Sequence, residues 1–336
     1  MSTTAQTGAQ DAATGWLVSG LEDDIRPRMF AAADRHESFA LATIIAADGG
    51  PRPVGAQMVV TAEGSWGFLS GGCIEADVVL NGQEVIRTGR PRTLTYGEGS
   101  PFIDIRLPCG GHIDVAIECV NPDDEALAEL RRLTAARRAS IWQSDGRIRR
   151  CFELAGAAVD RTAIVRRCYD PVLRLIVVGT DPFALAIASM GNTLGWEVML
   201  LSPLGPSAEA PFGLHCDRRP LSRSLRELSF DRWTAIAVAT HDVALDHEAL
   251  STALASPAGY VGVLGSRRKL GERRAALRDA GLSDDAIARL RAPIGLPIDA
   301  LSPWEVAVAV IGEIIENSRL AEACPVAGDR TTHVAA

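Results

Sequence analysis

The sequence predicts an α/β protein: an N-terminal mixed α+β domain followed by a Rossmann-like doubly wound parallel-sheet domain. Three observations carry that prediction. β-Branched and alternating runs with glycine turns fill the first third, a strand–helix rhythm sets in at Val172, and 336 residues exceed what one ordinary core holds. The expected organisation is a first domain over residues 15–121, a connecting helix and hairpin over 122–170, and a second domain over 171–325.

The elements follow in order. Residues 41–47 form an apolar, β-branched run that stops at Asp48-Gly49-Gly50, a turn signal after a strand. Strands at 57–62 and 66–69 continue as a meander around Glu63-Gly64. After Gly71-Gly72-Cys73 the period changes, because Ile74, Val78, Val79, Val85 and Ile86 share a helical face and Gly89 suits the C′ position. Residues 112–118 alternate, with Ile113, Val115 and Ile117 on one face of a half-buried strand. Asn121-Pro122-Asp123-Asp124 opens a helix to about 138, and 139–154 reads as a hairpin around Ser144-Asp145-Gly146.

In the second domain the expected succession is strand 173–178, helix 182–194, strand 198–201, strand 235–239, helix 246–255 and strand 260–264. Helices follow at 267–279 and 283–290. The last helix opens on Ser302-Pro303-Trp304-Glu305, an N-cap, a proline at N1 and a glutamate at N3.

Composition narrows the function classes. A hydrophobic share of 47% against 23% charged residues is that of a soluble globular protein. The net charge of −8 opposes nucleic-acid backbones and anionic membrane surfaces. Residues 1–15 lack a basic stretch followed by an apolar one, and no run approaches about 18 apolar residues, so the expected location is the cytoplasm, with no membrane span. Seven cysteines without a C-x-x-C pair read as reduced thiols rather than a disulfide framework or a closed zinc site.

Two of those cysteines stand beside paired glycines, in Ser70-Gly71-Gly72-Cys73-Ile74-Glu75 and Pro108-Cys109-Gly110-Gly111. Paired glycines expose backbone N–H groups and allow close approach of a ligand. Cys73 lies at a strand-to-helix junction, where unsatisfied N–H groups would bind an anion and lower the pKa of a thiol. Cys109-Gly110-Gly111 immediately precedes a strand. If the two strands are neighbours, both loops converge on one pocket. The bland reading of each cysteine is a small buried residue in a tight turn.

The second domain offers less. Val177-Val178-Gly179-Thr180-Asp181-Pro182 holds the place of a G-x-G-x-x-G fingerprint but lacks it, and Asp181 reads as an N-cap that repels an anion. The second strand runs into Ser202-Pro203 instead of an acidic ribose ligand. NAD(P) is therefore disfavoured, and an NAD(P)-dependent oxidoreductase stays as the alternative on the strand–glycine–helix order alone. Ser266 and Arg267 in Gly265-Ser266-Arg267-Arg268-Lys269 are phosphate candidates, against a solvated basic helix start. His241-Asp242 falls at the carboxyl edge where open α/β sheets bind ligands, against a plain surface histidine.

Further segments recur in the same order: Gly50-Pro51-Arg52-Pro53-Val54-Gly55-Ala56-Gln57-Met58, the two cysteine loops, Thr240-His241-Asp242, Tyr260-Val261-Gly262-Val263-Leu264-Gly265-Ser266-Arg267-Arg268, Ala292-Pro293-Ile294-Gly295-Leu296 and Ser302-Pro303-Trp304-Glu305-Val306-Ala307. On these the chain resembles, over about 40–319, the XdhC/CoxI family of accessory proteins for xanthine dehydrogenase-type molybdenum hydroxylases. The resemblance implies an accessory factor rather than a catalyst. Such a factor binds the molybdenum cofactor, as molybdopterin or its cytosine dinucleotide form, protects it while a sulfido ligand is installed, and delivers it to an apo molybdenum hydroxylase. A cysteine desulfurase as sulfur donor and a homodimeric state are further implications. The chain departs from the family at Asp181, where a Gly-x-Gly-His turn is common.

Soft thiolates suit molybdenum held by dithiolene sulfur, which makes Cys73 and then Cys109 the candidate metal ligands or persulfide carriers. The N–H groups of Gly71, Gly72, Gly110 and Gly111 would cradle pterin or phosphate oxygens, with Gly55 in the neighbouring segment. Arg52 would pair with phosphate, and Glu75 would accept from pterin amines or cap the helix.

Overall fold

The computed structural model describes residues 16, 18–49, 52–97, 107, 110–155, 160 and 162–320. The chain divides between Pro171 and Val172 into two units. No helix among the described residues is long and apolar enough to cross a membrane.

The first unit runs α1 (Arg26–Asp34), β1 (Phe39–Asp48), β2 (Gln57–Val60), β3 (Ser65–Gly67), α2 (Glu75–Thr88), β4 (Arg92–Gly97), β5 (His112–Val120), α3 (Glu125–Ala135), β6 (Ser140–Ser144), β7 (Arg149–Glu153) and β8 (Val165–Tyr169). Five strands form an antiparallel sheet in the order β3-β2-β1-β5-β4. Strand side chains alternate between faces, so Phe39 and Leu41 of β1 join one core while Ala40, Ala42 and Ile44 join the other. α2 covers the second face with Val78 and Val85, and Gly82 lets it approach closely: a Cβ there would stand 3.1 Å from Val60. The left-handed Gly89, at φ 65°, ends α2 as its spacing predicts.

Residues 122–170 differ from a mere connection. Leu127, Leu130 and Leu133 of α3, Trp142 of β6 and Tyr169 of β8 share one core with Met29 and Phe39. A buried polar knot fixes the joint. Glu118 of β5, 1% exposed, accepts from Trp142 Nε1 at 3.1 Å, Ser144 Oγ at 2.5 Å and Arg149 Nε at 3.1 Å. Arg149 in turn reaches Asp124 at 2.7 Å and the Cys119 carbonyl at 2.8 Å, so both buried charges are paired and hydrogen-bonded. The strands β7-β6-β8 form a small antiparallel sheet. Cys168 of β8 is disulfide-bonded, a departure from the all-thiol reading.

The second unit runs β9 (Arg174–Val178), α4 (Pro182–Thr193), β10 (Glu197–Leu201), β11 (Cys216–Asp217), α5 (Leu221–Glu227), β12 (Thr234–Val238), α6 (Val243–Ala255), β13 (Tyr260–Val263), α7 (Leu270–Asp279), α8 (Asp284–Ala288), β14 (Leu290–Arg291) and α9 (Pro303–Leu320). All its strands are parallel, in the order β11-β10-β9-β12-β13-β14. Counted from β9 that is the 3-2-1-4-5-6 arrangement of dinucleotide-binding sheets. Leu175 and Val177 of β9 pack with α4 and α9, while Ile176 and Val178 pack with α5, α6 and α7 on the opposite face. The predicted helix 267–279 begins as a 3-10 turn, Arg267–Lys269, before α7. The protein is thus a mixed α+β domain followed by a Rossmann-like doubly wound one.

Candidate functional site

The register of the five-stranded sheet decides which loops share an edge. β1 ends at Asp48 opposite His112, where β5 begins, and β3 ends at Gly67 opposite Met58, near the start of β2. The turn after β1, the loop after β3 and the residues before β5 therefore leave the sheet on one edge, together with the end of β4, where Gly97 faces His112. This edge carries Arg52, Gly55, Gly71, Gly72, Cys73, Gly110 and Gly111. The strands of the two cysteine loops are not neighbours, because β2 and β1 lie between β3 and β5. Three strand spacings separate them, roughly 14 Å at about 4.8 Å each. Cys109 lies outside the described residues.

The loop before α2 is organised by an anion of its own. The Glu75 carboxylate accepts from the N–H groups of Leu69 (2.9 Å), Ser70 (2.7 Å), Gly71 (3.2 Å), Gly72 (2.8 Å) and Ile74 (3.2 Å), and from Ser70 Oγ at 2.7 Å. Ser70 Oγ accepts in its turn from the N–H groups of Cys73 at 3.0 Å and Ile74 at 3.1 Å. Gly71 and Gly72 sit at φ 85° and 111°, a region that favours glycine and lets successive N–H groups point inward. This corrects the expectation for Gly71 and Gly72: their donors are occupied by Glu75. All the backbone donors to Glu75 precede the first residue of α2, so its carboxylate braces the loop that leads into the helix. Burial raises the Glu75 pKa, but the hydrogen bonds from Ser70 and Leu69 outweigh it and the carboxyl sits below its ordinary value. The Cys73 side chain is left exposed at the rim.

The other predicted ligands divide. Arg52 donates to Asp23 and lies 4.6 Å from the Phe68 ring centroid, so a carboxylate of this chain takes the place expected of a phosphate. Its Nε is buried without a hydrogen-bond partner. Gly55, at φ 90°, donates its N–H to the Ile44 carbonyl at 2.8 Å, so it shapes the turn between β1 and β2. Gly111 is required by close backbone approach: a Cβ there would stand 2.8 Å from the Gly49 carbonyl, and one on Gly97 would stand 1.9 Å from the Gly111 carbonyl. Gly110, at φ 71°, has open space where its Cβ would be, and its N–H donates to the Leu107 carbonyl at 2.9 Å. Ser266 and Arg267 belong to the second unit, exposed where the 3-10 turn starts. Among the remaining described free thiols, burial pushes Cys151 up to about 12 and raises Cys119, which makes both poor nucleophiles.

The second unit has a crevice of its own where the strand order reverses between β9 and β12. A cavity of about 280 Å³ is lined by Gly179, Thr180, Asp181, Ser202 and His241, with Leu204 and Leu245 among its apolar walls. Asp181 accepts from Ala184 N–H at 2.8 Å through Oδ1, the predicted N-cap of α4, while Oδ2 lies 3.1 Å from His241 Nε2. Gly179 is a glycine because a Cβ would stand 2.2 Å from the Ala239 carbonyl. Behind the crevice Asp246 accepts from Thr240 Oγ1 and Arg273 Nη2, both at 2.6 Å. Burial raises the Asp246 carboxyl against those two partners. Sequence spacing carried no sign of Asp246 or Arg273, which stand 27 residues apart.

Two family models match the chain, one described as XdhC and CoxI family over residues 32–97 and one as XdhC Rossmann domain over 175–314. A molybdenum cofactor insertion chaperone of Escherichia coli (strain K12), PaoD, is 30% identical over 277 residues, covering 82% of this chain and 81% of that protein. A probable xanthine dehydrogenase component of Bacillus subtilis (strain 168) is 24% identical over 326 residues, covering 84% of this chain and 94% of that protein. A crystal structure described as a xanthine dehydrogenase from Bacillus halodurans superposes with a TM-score of 0.70 at 24% identity, covering 88% of this chain and 96% of that one. With both models matched in order and the first relative similar along four-fifths of its length, the chain belongs to the XdhC and CoxI family.

Proposed function

We propose that this protein binds the molybdenum cofactor and inserts it into an apo molybdenum hydroxylase of the xanthine dehydrogenase type. The observation that supports the reading most directly is the exposed Cys73 thiol, held at the sheet edge by a loop that Glu75 cross-braces, in a chain 30% identical to a molybdenum cofactor insertion chaperone. In this reading the cofactor is cargo. Cys73 supplies a soft sulfur to the molybdenum or carries a persulfide, with Cys109 as a second thiol. Gly110 and the open face of Gly71 leave room for the pterin at the same edge. Sulfuration of the held cofactor by a cysteine desulfurase, delivery as a homodimer and action in the cytoplasm belong to the same proposal.

The test is co-expression with a xanthine dehydrogenase-type hydroxylase in a host that makes the cofactor. Molybdenum per chain is read by elemental analysis, and pterin by fluorescence after acid release. Cys73→Ala lowers both at least fivefold, and the phosphate form of the released pterin separates molybdopterin from its cytosine dinucleotide. Wild-type loading in Cys73→Ala, Cys109→Ala and the double variant would overturn the assignment.

A further inference from the structure

We propose that the crevice at the carboxyl edge of the second unit's sheet is a binding site for an unphosphorylated ribonucleoside. It stands at the point where the strand order reverses, between the ends of β9, β10 and β12, which is where open parallel sheets take their ligands. In dinucleotide-binding sheets a pyrophosphate lies against the first helix N-terminus. Here that position holds the Asp181 carboxylate, with Oδ1 already receiving the Ala184 N–H and Pro182 supplying no donor at the next position. A phosphate would meet a like charge, with no lysine or arginine among the lining residues to offset it. The ligand must therefore present donors, not negative oxygens.

A ribose diol meets that demand. A carboxylate has about four lone-pair positions, of which Asp181 commits one on Oδ1 to its helix, while Oδ2, 3.1 Å from His241 Nε2, is buried without a hydrogen-bond partner. The His241 side chain is 80% exposed and can swing aside, while Asp181, 12% exposed, stays fixed by its cap. Pro203, Leu204 and Leu245 offer apolar walls for a flat base. At about 280 Å³ the cavity lies at the small end of ligand sites, with room for one nucleoside.

The site is tested on the full chain by isothermal titration with adenosine, guanosine, cytidine and uridine, then with the 2′-deoxy form and the 5′-diphosphate of whichever binds best. We expect saturable binding of at least one ribonucleoside, at least tenfold weaker binding of its 2′-deoxy form, and at least tenfold weaker binding of its diphosphate. Asp181→Asn keeps an oxygen for the Ala184 N–H but removes the charge. It weakens nucleoside binding at least tenfold and closes the gap to the diphosphate. Thr180→Trp, a bulky change at an exposed lining residue, abolishes binding and guards against a misfolded first variant. The proposal is overturned by the absence of binding for all four nucleosides, by a diphosphate that binds as tightly as its nucleoside, or by unchanged affinity in both variants. None of these outcomes depends on molybdenum, so failure here leaves the chaperone reading standing.

Discussion

Glu75 does for its loop what a bound anion does elsewhere, gathering five backbone N–H groups and one hydroxyl on a single carboxylate. Glu75→Gln leaves several donors facing an amide that accepts at one atom only. We expect it to lower stability by about 2 kcal/mol and to speed hydrogen exchange at the Gly71 and Gly72 amides, read by denaturant melts and exchange mass spectrometry. Because the folded-state pKa of Glu75 is depressed, its contribution is complete above its unfolded value and fades as pH falls through the lower folded one. Exchange at these amides, corrected for the intrinsic rate, is thus flat from pH 5 to 8 and rises only under stronger acid, where a flat profile would refute the assignment. Gly97→Ala tests the backbone approach beside it. A Cβ 1.9 Å from the Gly111 carbonyl, at φ 90°, costs at least about 3 kcal/mol, visible as a lower denaturation midpoint. The glycine pairs were legible in the sequence as places of special backbone. Whether their N–H groups stood free was not, since that turns on where the Glu75 side chain folds.

Helices with polar caps were the most legible elements. Asp181 caps α4, Asp124 caps α3 at 2.9 Å from Ala126 N, and Glu305 returns to the Leu301 and Ser302 N–H groups at the start of α9. Ser302→Ala is expected to cost about 1 kcal/mol, the ordinary worth of a cap, whereas Asp124→Ala costs about 3 kcal/mol because it also strips a partner from buried Arg149. A thermal melt that ranks them the other way would show the buried knot to be dispensable. The strands that escaped the sequence have a physical reason for it. β4 is an edge strand in which only Leu94 and Tyr96 are buried, and β8 places two arginines between Val165 and Tyr169, so neither shows enough apolar period. β11 and β14 are two residues each, too short to carry any.

On the scale of the whole molecule, each unit owns two apolar clusters drawn wholly from its own residues. A fragment of residues 172–320 is therefore expected to fold cooperatively alone, with a single calorimetric transition that reappears in the full chain. A fragment without a transition would show that its core needs the first unit. The parallel order of the second sheet was readable from the strand–helix rhythm. The packing of 122–170 into the first unit was not, because it rests on Glu118, whose ring of partners lies 24 to 31 residues away. The self-contained loop around Glu75 has one more consequence. Under the proposed carrier role, the Gly71 and Gly72 amides already have a resident partner in Glu75, so handing on a passenger at this loop requires breaking no hydrogen bond to them.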